Sequence, residues 1–179
     1  HPYNLSLMAS IIAHQGEAKA EQWARGVVAN FARAPKGGDT DQIKAVASGE
    51  CQIALTNSYY VARLMRSNKP EDKAVMDKVA VIFPNQASWG THINIAGGAV
   101  ARYAKNPQAA QQFLEYLASD AAQRYFAEGN NEWAVVKSVK TANPALDALG
   151  PFKTEVLPIS VIGMNQVKVQ QMLDRSAYK

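Results

Sequence analysis

Three short apolar runs set the limits on what this chain can fold into: "CQIAL" at 51–55, "KVAVIFP" at 78–84 and "HINIAGG" at 92–98. Each is compact and bounded by turn residues, the pattern of a strand buried on both faces of a sheet. Between and around them lie stretches with helical period. Trp23, Val27 and Phe31 recur at four-residue spacing with Ala24 and Val28 beside them, which predicts an amphipathic helix over 16–31 with that stripe inward. Strands alternating with helices predict an α/β protein.

The remaining punctuation agrees. Asp39 with Gln42 three places on resembles a capping box, opening a helix that runs through Ala47 and stops at Gly49. "YYVARLMRS" reads as the next helix. Asn106-Pro107 is a cap with proline at the first helical position, and the helix it opens breaks at Ser119-Asp120 and ends at Gly129. Phe113, Leu114, Leu117, Tyr125 and Phe126 form its expected buried stripe, and Val169, Met172 and Leu173 predict a last helix over about 164–175.

Composition narrows the function. With 179 residues, 47% hydrophobic and 19% charged, the chain can bury a real core. The net charge of +4 is spread among Asp and Glu with no basic block, which argues against a nucleic-acid partner. No run approaches the roughly 18 apolar residues of a membrane helix. "HPYNLSLMAS" lacks the charged-then-apolar plan of a signal peptide, so the sequence as it stands carries no export signal. The lone Cys51 excludes an internal disulfide and a Cys-based metal cluster, and is expected on a buried strand.

Chemistry concentrates at Tyr59-Tyr60, where "CQIALTNS" gives way to a helix. Within a strand, neighbouring side chains point to opposite faces. At a strand-to-helix turn two successive side chains can converge, and ligands of α/β sheets bind at such ends. Phenolates are hard anionic donors suited to a small, highly charged cation, of which Fe3+ is the obvious one. A tyrosine of reference pKa about 10 binds at neutral pH only to an ion that polarises it strongly. A Tyr-Tyr pair also arises from packing, so spacing alone leaves both readings open. Asn57 is a turn residue or a supporting polar group, and Asp39 and Asp41 are helix caps or ligands. His1, His14 and His92 have no zinc-ligand spacing. No G-x-S-x-G, H-E-x-x-H or phosphate-cradling glycine motif occurs, which disfavours an enzyme.

Taken in order, "HPYNLSL", "GECQIALTNSYYVARL", "FPNQASWGTHINIAGGAVARYAKN" and "FLEYLASDAAQRYFAEGN" resemble the ferric-iron-binding proteins of bacterial iron ABC transporters, type II periplasmic solute-binding proteins. The resemblance implies two α/β lobes with the ion in the cleft between them, a periplasmic location and an inner-membrane ABC permease as partner. It makes Tyr59 and Tyr60 iron ligands, and the "YNLSL" context makes Tyr3 a third. Asn57 becomes a residue touching the metal site or a synergistic anion such as carbonate, phosphate or citrate. It places residues 1–89 and 141–179 in the C-terminal lobe and 90–140 across into the N-terminal lobe, the first half of the family's chain being the missing partner segment.

The chain also departs from the family. Glu132-Trp133-Ala134 stands where Glu-Tyr-Pro is frequent, and Thr40 stands near a place the family often gives to arginine. Other readings on the same fold are a solute-binding protein for an oxyanion or polyamine, and an enzyme or regulatory effector domain.

Overall fold

The computed structural model describes residues 1–178. Among them are nine helices: α1 Pro2–Gln15, α2 Glu17–Ala29, α3 Asp39–Ser48, α4 Ser58–Met65, α5 Pro70–Met76, α6 Pro107–Leu117, α7 Asp120–Asn130, α8 Pro144–Ala148 and α9 Ile159–Arg175. The chain forms two compact units, one of residues 1–36, 82–95 and 152–179, the other of 37–81 and 96–151.

In the first unit α1, α2 and α9 pack together around Met8, Ala9, Ile12, Ala20, Ala24, Val169, Met172 and Leu173. The inward face of α2 is therefore the Ala20–Ala24 line, and the expected stripe is corrected at Trp23, which is 37% exposed. Two alanines admit the neighbouring helices at a distance that an indole would hold apart. Beside the helices, 82–95 runs against 152–155. Thr91 N–H donates to Lys153 O at 2.8 Å and Glu155 N–H to Thr91 O at 2.9 Å, a single parallel bridge. Gln86 extends it, accepting from Lys153 N–H at 2.7 Å and donating to Lys153 O at 3.0 Å, and Phe83 stacks on Phe152. Gly90 makes the approach: at φ +97°, a Cβ there would lie 2.6 Å from the Thr154 carbonyl carbon.

In the second unit α3, α4 and α5 share the cluster of Ile43, Val61 and Leu64, and α4 also meets α8 through Ala62, Ala145 and Leu146. The helix break at Ser119-Asp120 falls where the sequence puts it, Ser119 Oγ accepting from Ala122 N–H as the cap of α7. That helix runs past Gly129 and ends at Asn131 in the left-handed conformation. The Asn131 carboxamide explains the extension, since it is buried and accepts from Arg66 Nη1 at 2.7 Å and Asn143 Nδ2 at 3.0 Å.

The three expected strands form no ladder among the described residues. They run as irregular segments, the one bridge falling at Thr91 just before the third, with apolar side chains in the open: Ile53 is 81% exposed and Ile82 84%. Cys51 is half-buried and off any strand. An apolar run signals burial, whereas a ladder needs a neighbouring strand, which local sequence does not specify. The expected buried stripe of α6 and α7 differs likewise, with Phe113 60% and Tyr125 75% exposed.

Asn143 holds the second unit at one point. Fully buried, its carboxamide accepts from Ala145 and Leu146 N–H and donates to Ala127 O at 2.7 Å and to Asn131 Oδ1. Asn143→Ala removes a helix cap and takes the Asn143 donor from the Ala127 carbonyl, so a loss of about 2–3 kcal/mol in urea unfolding is expected.

Candidate metal centre

The local geometry around the tyrosine pair begins in "GGDTD". Gly37 has φ +78°, a conformation that strains other residues, and a Cβ on it would displace the Asp41 carboxylate. Asp41 folds back and accepts from Gly38 N–H at 2.8 Å, making Gly38 the N-cap of α3. The capping box expected of Asp39 and Gln42 is thus displaced by one position: Asp39 is the first helical residue, and Asp41 does the capping. Asp39 instead reaches the second half of the site. Its Oδ1 accepts from Asn57 N–H at 2.7 Å and from Asn57 Nδ2 at 3.3 Å. Neither aspartate stands free as a ligand.

Asn57 is the extended N-cap residue of α4 and makes no side-chain cap of its own. Tyr59 and Tyr60 follow in the first turn, half-buried, with ring centroids 4.3 Å apart and planes tilted by 34°. The two rings lie side by side at the start of a helix that follows an irregular segment rather than a paired strand. The body of Tyr60 packs against the Ile43–Val61–Leu64 cluster, and the Arg63 guanidinium lies 5.2 Å above its ring centroid. Tyr3 stands in the first turn of α1 in the other unit, half-buried, its ring 3.9 Å from that of His1, with its carbonyl accepting from Ser6 Oγ at 3.0 Å.

A second polar constellation escapes the sequence. Glu155, whose side chain is 4% exposed, accepts from Ser10 Oγ at 2.5 Å and pairs with His14 Nε2 at 3.2 Å and with His92 Nδ1. His92 Nε2 meets Ser6 Oγ at 3.3 Å, and His14 stacks on Trp89. Burial alone would push the Glu155 carboxyl up; the hydrogen bonds from Ser10 and His92, the attraction of His92 and the bond from His14 outweigh it and hold the group below the usual carboxylate value. These partners are 145, 141 and 63 residues from Glu155, so no spacing rule could have joined them. Among the described residues no group of three or more His, Cys, Asp or Glu side chains is arranged to hold a metal ion, this one included. The phenols remain as candidate donors.

Residues 9–152 match the bacterial extracellular solute-binding protein family, and the chain belongs to that family. It is 47% identical over 179 residues to an iron uptake protein of Synechocystis sp., covering 99% of this chain and 51% of that protein. Among solved structures, it superimposes on the IdiA (FutA) protein of Trichodesmium in complex with iron and citrate with a TM-score of 0.91 and 51% identity, covering all of this chain and 56% of that one. It also superimposes on a ferric binding protein from Campylobacter jejuni with a TM-score of 0.92 and 38% identity, covering 98% and 55%. The chain spans about half the length of the relatives it matches. No helix among the described residues is long and apolar enough to cross a membrane.

The Glu155 cluster has a pH signature with a definite sign. A carboxyl held below its ordinary value of 4.5 contributes stability that is fully present above 4.5 and is lost as pH falls through the lowered folded-state value. Glu155→Gln is expected to cost about 2 kcal/mol at pH 7 and to flatten the stability decline below pH 4.5, as read from urea unfolding across pH.

Proposed function

We propose that this chain is part of the receptor of a bacterial ferric-iron importer, a periplasmic protein that captures Fe3+ and hands it to an inner-membrane ABC permease. The observation that carries the reading is the adjacent phenol pair, Tyr59 and Tyr60, at the start of α4, with rings 4.3 Å apart on a turn braced by Asp39. Its support is the similarity to an iron uptake protein and to a protein crystallised with iron and citrate.

Tyr59 and Tyr60 supply two anionic oxygens to the ion, and Tyr3 a third. Fe3+ is small and hard, so it prefers such oxygen donors over the softer imidazole and thiolate. Binding displaces the phenol protons, and acid therefore competes with iron for the site. Arg63 over the Tyr60 ring offsets part of the charge that accumulates when both phenols ionise. Asn57 lies two residues before the pair, beside the place where an anion would complete the shell, and citrate is the anion this reading favours. The protein is a carrier and not an enzyme.

In this reading the whole protein has two α/β lobes, with residues 1–89 and 141–179 in the C-terminal lobe and 90–140 crossing to the N-terminal one. Chain beyond this sequence supplies the strands that pair with the extended segments at 51–55, 78–84 and 92–98. Ile53, Ile82, Phe113 and Tyr125, exposed here, are then covered. Closure of the lobes excludes water from the ion and raises its affinity.

Tyr59→Phe and Tyr60→Phe remove one oxygen each and keep the ring. In the whole protein each is expected to lower ferric affinity by more than the roughly 100-fold that loss of a supporting residue costs, as measured by competition against a chelator. Tyr3→Phe is expected to cost less than either. Wild-type affinity in both members of the pair would overturn the assignment.

A further inference from the structure

We propose that Asp39 is a positioning residue for the Tyr59–Tyr60 pair: its carboxylate, bonded to both the backbone and the side chain of Asn57, sets the turn from which the two phenols project. The inference rests on the reading of those tyrosines as iron ligands.

An aspartate in the first turn of a helix ordinarily caps it or complements its dipole. Asp41 already caps α3 by taking the Gly38 N–H. The Asp39 carboxylate is therefore released from that task, and its Oδ1 spans 18 residues of sequence to take two hydrogens from one residue, at 2.7 Å from Asn57 N and 3.3 Å from Asn57 Nδ2. Asparagine at an N-cap normally turns its own oxygen onto the helix it starts. Asn57 makes no such cap, because its amide is drawn towards Asp39. Asp39 thus selects one of two conformations open to this turn.

The apolar side of the same helix completes the grip. Asp39 and Ile43 are four residues apart and share a face of α3. Ile43 packs against Val61 and Leu64, with the Tyr60 ring beside them. The tyrosines are therefore bracketed between Asn57, tied by two hydrogen bonds, and Val61, tied by burial. Metal ligation tolerates errors of only about 0.5 Å in its donors, so a turn fixed at both ends is what two convergent phenolates need. The left-handed turn at Gly37, with Asp41 folded back onto Gly38 N–H, sets the start of α3 from which Asp39 does this.

The test uses the whole protein and ferric citrate, with Asp39→Ala, Asp39→Asn and Asn57→Ala compared with wild type and with Tyr59→Phe. Asp39→Ala is expected to lower ferric affinity by about 10- to 100-fold and to shift the visible band of the iron-loaded protein. Asp39→Asn keeps an oxygen of the same shape and is expected to restore both to near wild type. Asn57→Ala, which leaves the backbone bond in place, is expected to fall between them, and it stands as the test should Asp39→Ala not fold. A role in folding alone would lower the melting temperature and leave the loaded protein's band where it is. An unshifted band with wild-type affinity in Asp39→Ala, or in Asn57→Ala if that alone folds, overturns the proposal. If Tyr59→Phe loses iron while Asp39→Ala does not, only the positioning role fails. If Tyr59→Phe itself binds as wild type, the tyrosine reading fails and takes this inference with it.

Discussion

An extended segment with no ladder beside it has backbone groups and apolar side chains to settle, and in this chain polar side chains do the settling. Glu155 and Gln86 hold 82–95 against 152–155, the first through a buried carboxylate and the second through both ends of its amide. In the other unit Gln123 accepts from Val135 and Val136 N–H, Asn143 joins the end of α7 to the start of α8, and Asp39 takes hold of Asn57. Glu155 and Asn143 are buried with their polar atoms engaged, which is the condition under which a buried polar group specifies structure rather than costing stability.

The same economy explains the shape of the donor set. Several carboxylates are engaged within the fold: buried Glu155 with two histidines and a serine, half-buried Asp39 with Asn57, and exposed Asp41 with the α3 cap. Tyr60 packs on the cluster of Ile43, Val61 and Leu64, and its ring lies beside that of Tyr59.

How much of this could be read beforehand depended on distance along the chain. The tyrosine pair and its Asn57 start signal are local, and so are the break at Ser119-Asp120 and the close of α3 at Gly49. α1 went unread because "PYNLSLMASIIAHQ" is apolar on several faces and shows little periodicity, while α5 and α8 are single short turns behind Pro70 and Pro144. The strands at 51–55, 78–84 and 92–98 were read from local apolarity, but pairing is a property of a second segment. The Glu155 hub and the Asp39–Asn57 bond join residues far apart in sequence, and the offset of the capping box by one residue arose because Gly37 and Gly38 carry the turn that Asp39 was expected to begin.

The central claim is that phenolates bind ferric iron in this protein, and visible absorption addresses it most directly because phenolate-to-iron charge transfer colours the complex. Titrating the whole protein with ferric citrate should produce a broad visible band that saturates with the metal, disappears in the Tyr59→Phe, Tyr60→Phe double variant and fades on acidification more steeply than a single protonation allows. A saturated complex that stays colourless, or a band that survives loss of both tyrosines, would contradict the account.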